Sequence, residues 1–286
     1  MEDIPAPIYQ KLRRASVAEV RRAIRAGNYA SHTAGLAAGV LQANVAIMRA
    51  GAALDFMRFC QRNPKPCPLV GVSDTGAAAM PTLGDIDIRT DVPAYNVYRN
   101  GILAETVSDI SALWEPDFVA FAIGCSFTFE AALIAAGIPL WHIDQDTTVP
   151  MYRTNLPTVP AGPFGGAMVV SMRAIAAEDV ARAKAIAAAF PLAHGAPVHA
   201  GAPETIGIAA LDRPDWGDPA PVGVGQVPVF WACGVTPQVA LEDAGLDICI
   251  THKPGHMLIT DIAEDAEVPV LPPSTPTEPL QPGRSR

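Results

Sequence analysis

A chain of 286 residues with a net charge of −9, whose 20 basic residues are scattered except for a concentration between Lys11 and Arg25, carries no cationic footprint for nucleic acid. Half of the residues are hydrophobic, enough for one large domain or two modest ones that bury about three quarters of the unfolded surface. Met1-Glu2-Asp3-Ile4-Pro5 has neither the cationic lead nor the apolar run of an export signal, and the cysteines, Cys60, Cys67, Cys125, Cys233 and Cys249, are odd in number and widely spaced. Reduced thiols in a cytoplasmic protein are therefore expected.

Ser16 to Arg25 carries apolar residues at helical spacing, and helical patterning continues from Thr33 to Phe59, so the N-terminal segment is expected to be mostly helix. "NPKPCPLVGV" breaks it with three prolines and launches a strand at Leu69; from there to Tyr98, short apolar runs alternate with Gly, Asp and Pro as strands and loops do. Inside that stretch, "DIDIRTDVPAY" sets Asp85, Asp87, Arg89 and Asp91 at alternate positions, so as a strand it turns four charges to one face. A solvated edge would look the same. Arg89, the one cation among three acids, also suits a bidentate grip on a carboxylate.

Between Asp117 and Asp144 lie 26 residues with one acid, Glu130, and no Lys or Arg, long enough to cross a bilayer. Both flanks are acidic, whereas a span normally has a cationic end. Phe118 to Gly124 reads as a buried strand, Cys125 to Thr128 as a polar turn, Phe129 to Ala136 as a helix closed by Gly137, and Ile138 to Ile143 as the next strand. The segment is a soluble α/β element rather than a membrane helix.

Residues 150–205 change character: "PTVPAGPFGG" is a loop, "AMVVSMRAI" a strand, "AAEDVARAKAIAAAF" an amphipathic helix and "HGAPVHAGAP" a loop. The expected organisation is a two-domain α/β protein: a mixed-sheet core from 1–149 and 206–272 with helices on both faces, a smaller α+β insertion at 150–205, and a disordered Pro-rich tail at 273–286.

Cys125 to Ile138, "CSFTFEAALIAAGI", aligns without a gap on Cys233 to Leu246, "CGVTPQVALEDAGL": Cys, Thr, Ala, Leu, Ala and Gly coincide, and Glu130 faces Gln238. Ala-rich helices resemble one another by chance, but each copy also follows an aromatic-containing apolar strand. Each unit would present a Cys and a Thr where a strand hands over to a helix, and two such helix ends facing each other would favour a small carboxylate. A thiol there has its thiolate favoured, although a free Cys is more commonly a small buried apolar residue.

"GLAAGVLQANVAIM", "FCQRNPKPCPL", "DIDIRTDVPAY", "FAIGCSFTFE", "VVSMR", "HGAPVH", "VFWACGVTPQ" and "THKPGHMLITD" occur in this order, and over Ser16 to Asp261 the chain resembles the "putative hydro-lyase" family related to D-glutamate cyclase. The resemblance implies a two-domain α/β fold with a smaller α+β part. It also implies loss of water from a small amino or hydroxy acid, above all D-glutamate closing to 5-oxo-D-proline, as a mitochondrial enzyme containing this domain does.

That chemistry needs a neutral amine, a protonated or polarised γ-carboxyl, a proton acceptor, a proton donor and N–H groups for the oxyanion. Glu130 in an apolar surround would have a raised pKa and serve as acid. Cys125 and Cys233 would be proton carriers and His256 the amine base. Arg89 and Arg173 would pair with the carboxylates, with Ser126, Thr128, His194 and Thr236 as further contacts. No cofactor, metal, nucleic acid or membrane is expected, and a homodimer is allowed. The alternatives are a cofactor-free racemase or epimerase working through the paired thiols, and a carboxylate-binding protein without turnover.

Overall fold

The computed structural model describes residues 6–267, in two antiparallel sheets with helices packed on them. The tail expected at 273–286 lies outside the described residues. The chain enters through α1 (Ala6–Leu12) and α2 (Val17–Arg25). Ser16 caps α2 by accepting from Glu19 N, while the Glu19 side chain accepts from Ser16 N, a reciprocal capping box.

The expected long N-terminal helix is interrupted. Val40–Arg49 is β1, and only Ala50–Arg62, α3, is helical. Eight consecutive residues of β1 are buried. A run covered on both faces has no polar side to mark its period, and its Ala, Leu and Met content reads as helix.

β1 is central to the seven-stranded sheet. β5 (Phe118–Gly124) pairs along one side, and β10 (Cys249–His252) and β11 (Leu258–Ala263) along the other. β2 (Leu69–Val72), β3 (Tyr95–Arg99) and β4 (Ile102–Val107) complete it in the order β2-β5-β1-β10-β3-β4. After β5 come α4 (Phe127–Ala135) and the short α5 (Trp141–Asp144). Residues Ile138 to Ile143, expected as a strand, instead run as a loop into α5, so no parallel strand follows α4 and every pairing of the named strands is antiparallel.

The second sheet has the order β6-β7-β9-β8, from β6 (Met151–Pro157), β7 (Ala167–Ala176), β8 (His199–Ala200) and β9 (Gln226–Ala232). α6 (Val180–Ala188) follows β7, and α7 (Val235–Ala244) follows β9. β9 pairs with β7 from Gln226 to Ala232, so this unit extends past residue 205, where the sequence reading returned the chain to the core. One apolar cluster runs between the sheets: Val45, Ala120 and Ala122 from the first, Ile175, Val229 and Trp231 from the second, with Phe129 and Leu133 of α4 and Ala183 and Ala187 of α6 between them.

The "DIDIRTD" segment is not a strand. It curls into turns because Asp91 N–H donates to the Asp87 carbonyl and Asp91 Oδ2 accepts from Asp87 N. Asp91 is fully buried and gripped by Arg25 through Nε at 2.7 Å and Nη2 at 2.6 Å. Arg89 is held by Asp87, 2.7 Å from Nη2 to Oδ2. These acids therefore tie α2 to the sheet and engage the arginine that was expected to meet a ligand.

Candidate active site

The repeated sequence is a repeated structure. Cys125 N–H donates to the Gln42 carbonyl at 2.9 Å, and Cys233 N–H to the Val169 carbonyl at 3.0 Å. Thr128 Oγ1 accepts from Gln42 N at 3.1 Å, and Thr236 Oγ1 from Val169 N at 2.9 Å. Each unit is thus latched to its neighbour strand, β1 or β7, by the same pair of bonds. Ala43 pairs with Gly124 as Val170 does with Ala232, so the register also matches. The threonine hydroxyls, expected as ligand contacts, are committed to these latches.

The two units meet. Cys125 and Cys233 lie in one cluster with Phe127, Val235, Val239 and Met257, and a Cβ on Gly234 would collide with the side chain of Asn44 on β1. Only glycine lets α7 begin so close to the other unit. The thiols are not activated. Burial raises Cys125 to about 12 and Cys233 to about 11, outweighing the backbone N–H groups of Phe127 and Val235 that favour the thiolates. At neutral pH both carry their protons, contrary to the expectation drawn from their place at helix ends.

Glu130 is the centre of the polar cluster. It projects from the first turn of α4 and is buried, as are its partners His142 on α5 and Arg173 on β7. Glu130 Oε1 accepts from Arg173 Nη2 at 2.5 Å and Nε at 3.1 Å, with His142 Nε2 at 2.9 Å. Arg173 also donates to Ser126 Oγ at 3.1 Å and Ser171 Oγ at 2.9 Å, and its guanidinium lies over the adjacent rings of Phe129 and Trp231, 5.2 and 5.3 Å from their centroids. Burial alone would push the Glu130 carboxyl up, but His142 and Arg173 prevail and hold it at about 2. Glu130 is therefore an ionised partner of Arg173 and not the raised-pKa acid expected from its apolar neighbours. A β-strand arginine 43 residues away in sequence could not be paired with Glu130 from local composition.

The second unit repeats the arrangement without charge. Gln238 stands where Glu130 does, and its Nε2 lies 3.0 Å from His252 Nδ1. His252 is buried, which depresses it to about 3, and Val45 N–H donates to its Nδ1.

Of the remaining expected residues, Ser126 and Arg173 join the Glu130 cluster, and Arg173 also acts electrostatically on His194. His256 makes its hydrogen bond to the Pro254 carbonyl at 3.0 Å and is held near 4 chiefly by burial. It makes no hydrogen bond to Glu130. Sequence reasoning misses His142: "LWHID" reads as the end of a strand, and a histidine in a strand has no reason to reach an acid on the preceding helix. A cleft of about 290 Å³ is lined by Trp141 and Asp144 of α5 together with Pro139, Ala174, Pro221, Gly223 and Gln226.

Three relatives span nearly the whole chain. Proteins named "Putative hydro-lyase" from Dinoroseobacter shibae, Ruegeria pomeroyi and Jannaschia sp. are 70%, 66% and 60% identical to it, covering 93%, 92% and 90% of the chain and 89%, 96% and 97% of their own lengths. The D-glutamate cyclase family matches residues 119–261, from β5 through α7 to β11. The chain belongs to this family of hydro-lyases. The matched segment contains both repeated units and the whole Glu130, His142 and Arg173 cluster. Among the described residues no helix is long and apolar enough to cross a membrane.

Proposed function

We propose that the protein closes D-glutamate to 5-oxo-D-proline with release of water. The observation that carries this reading is the buried Arg173–Glu130 pair at the first turn of α4, with Glu130 Oε2 left without a partner. A guanidinium at the start of a helix suits a substrate with carboxylates, and an ionised, half-engaged carboxylate suits its ammonium. In the reaction the amine nitrogen bonds to the γ-carboxyl carbon, the C–O bond breaks, and the two protons lost by nitrogen leave on the departing oxygen as water.

In this mechanism Arg173 pairs with a substrate carboxylate and Glu130 orients the ammonium through Oε2, while His142 holds Glu130 in place. The neutral thiols weigh against a two-thiol racemase, which needs one thiolate to remove the α-proton. The test is incubation with D- and L-glutamate and a panel of small hydroxy acids, followed by mass spectrometry. Formation of 5-oxoproline from D-glutamate is expected. Dehydration of a hydroxy acid with no lactam would sink the cyclase reading in favour of another hydro-lyase substrate, and binding without any product would favour a carboxylate-binding role.

A further inference from the structure

His194 is buried, with left-handed backbone at φ 73°, a conformation uncommon outside glycine. Its Nδ1 lies 2.9 Å from the Lys65 carbonyl. A carbonyl only accepts, so Nδ1 carries the hydrogen and Nε2 of the neutral ring carries a lone pair. That Nε2 is buried and has no partner. An orphaned buried acceptor costs free energy and calls for an explanation.

Its surroundings supply one. The 3₁₀ turn that ends at His194 packs against the start of α4, where a Cβ on Gly124 would overlap the Leu192 carbonyl. Arg173 on β7 and Lys65 in the loop before β2 act on the ring as positive charges. Glu130 Oε2, on the carboxylate that pairs with Arg173, is likewise a buried acceptor without a donor. The turn at His194 and the start of α4 thus each carry an unpartnered buried acceptor, and a ligand that reached both would bring several N–H donors next to a carboxylate, as an α-amino acid does.

We propose that His194 Nε2 takes the proton from the substrate amine and passes it toward the departing oxygen, a role that rests on the cyclase reading above. Nε2 carries the two protons one at a time: the first passes from nitrogen through Nε2 to the γ-carboxylate oxygen, the N–C bond forms at the γ-carbon, and the second follows by the same route as the C–O bond breaks and the oxygen leaves as water. Burial, Lys65 and Arg173 hold the ring near 4 in the empty site. Nε2 is therefore an unprotonated acceptor at neutral pH, and once protonated it gives the proton up readily to the departing oxygen. Lys65 fixes which ring nitrogen does so, since its carbonyl holds the hydrogen on Nδ1.

His194→Asn isolates the role. Asn tolerates the left-handed backbone, and its amide can still donate to the Lys65 carbonyl, so only the Nε2 lone pair is lost. The expected result is an unchanged melting profile, a KM for D-glutamate within a few fold of wild type, and kcat lower by about 10²-fold or more. Nitrogen NMR of the wild-type ring gives a readout independent of turnover. The Nε2 signal should move with saturating D-glutamate and stay in place with glutarate, which lacks the amine. Full activity in His194→Asn, or a ring signal indifferent to D-glutamate, overturns the proposal. A ring signal that moves while no 5-oxoproline forms keeps the contact and defeats the cyclase reading instead.

Discussion

Replacing Glu130 by Gln tests whether that carboxyl is an acid in an apolar pocket or half of a buried ion pair. In the first case the amide is a near-isostere of the protonated acid, and stability should hardly change. In the second, Arg173 is left as a buried cation with no counter-charge. Holding the carboxyl at about 2 against an ordinary 4.5 corresponds to about 3 kcal/mol of stabilisation at neutral pH. Because the folded-state pKa is the lower one, this contribution is fully present above 4.5 and is lost as the pH falls through 2. Breaking a buried pair from one side costs about 3–5 kcal/mol, and at about 2 °C per kcal/mol for a large domain, Glu130→Gln should melt about 6 °C or more below wild type at pH 7. Combining it with Arg173→Met should lose less than the two single changes add to, by about 2 kcal/mol, because the pair acts as a unit. Thermal melts followed by circular dichroism on the four proteins measure both. A Glu130→Gln protein melting within 2 °C of wild type would refute the ion pair, on the same scale of about 2 °C per kcal/mol.

The buried histidines predict acid sensitivity in a different window. His194, His252 and His256 are held near 4, 3 and 4 by burial, so between pH 6.5 and about 4 the unfolded chain binds protons that the folded chain refuses. Stability should fall with a slope of up to about 4 kcal/mol per pH unit, three protons' worth, and a urea midpoint unchanged from pH 7 to pH 5 would show that these rings are already charged in the fold. Thr128→Val and Thr236→Val should each leave a buried N–H, of Gln42 or Val169, without its acceptor and cost about 1–3 kcal/mol by urea titration. Similar losses are expected at both positions, and a large loss at one with none at the other would contradict equivalent latches.

The parts of the fold legible in the sequence were those with one wet face or a strong local signal. Ser16 and Glu19 mark the start of α2, the prolines before Leu69 mark the start of β2, and the charged outer face of α6 gives it away. β1 gives no legible period because both of its faces are covered, and the sheet that β9 joins is not legible because its pairing with β7 links strands fifty or more residues apart. Nothing in a run such as "PVFWA" says which of two sheets will receive it.

The candidate site shows a sharper version of the same limit. Aligning "CSFTFEAALIAAGI" with "CGVTPQVALEDAGL" located the two helix starts and the position of Glu130, because a duplicated unit repeats its own local contacts. Those contacts, Cys and Thr bonded to the neighbouring strand, are what the duplication preserves. The buried charges lie where the copies differ: Glu130 against Gln238, and Arg173 on β7 where the matching register of β1 has Ala46. The repeat thus drew attention to the cysteines, which serve the shared architecture, while the residues that carry charge are the ones that break it. In a duplicated fold with a single site, the departures from the repeat are the better guide to function, and here they converge on the buried guanidinium of Arg173.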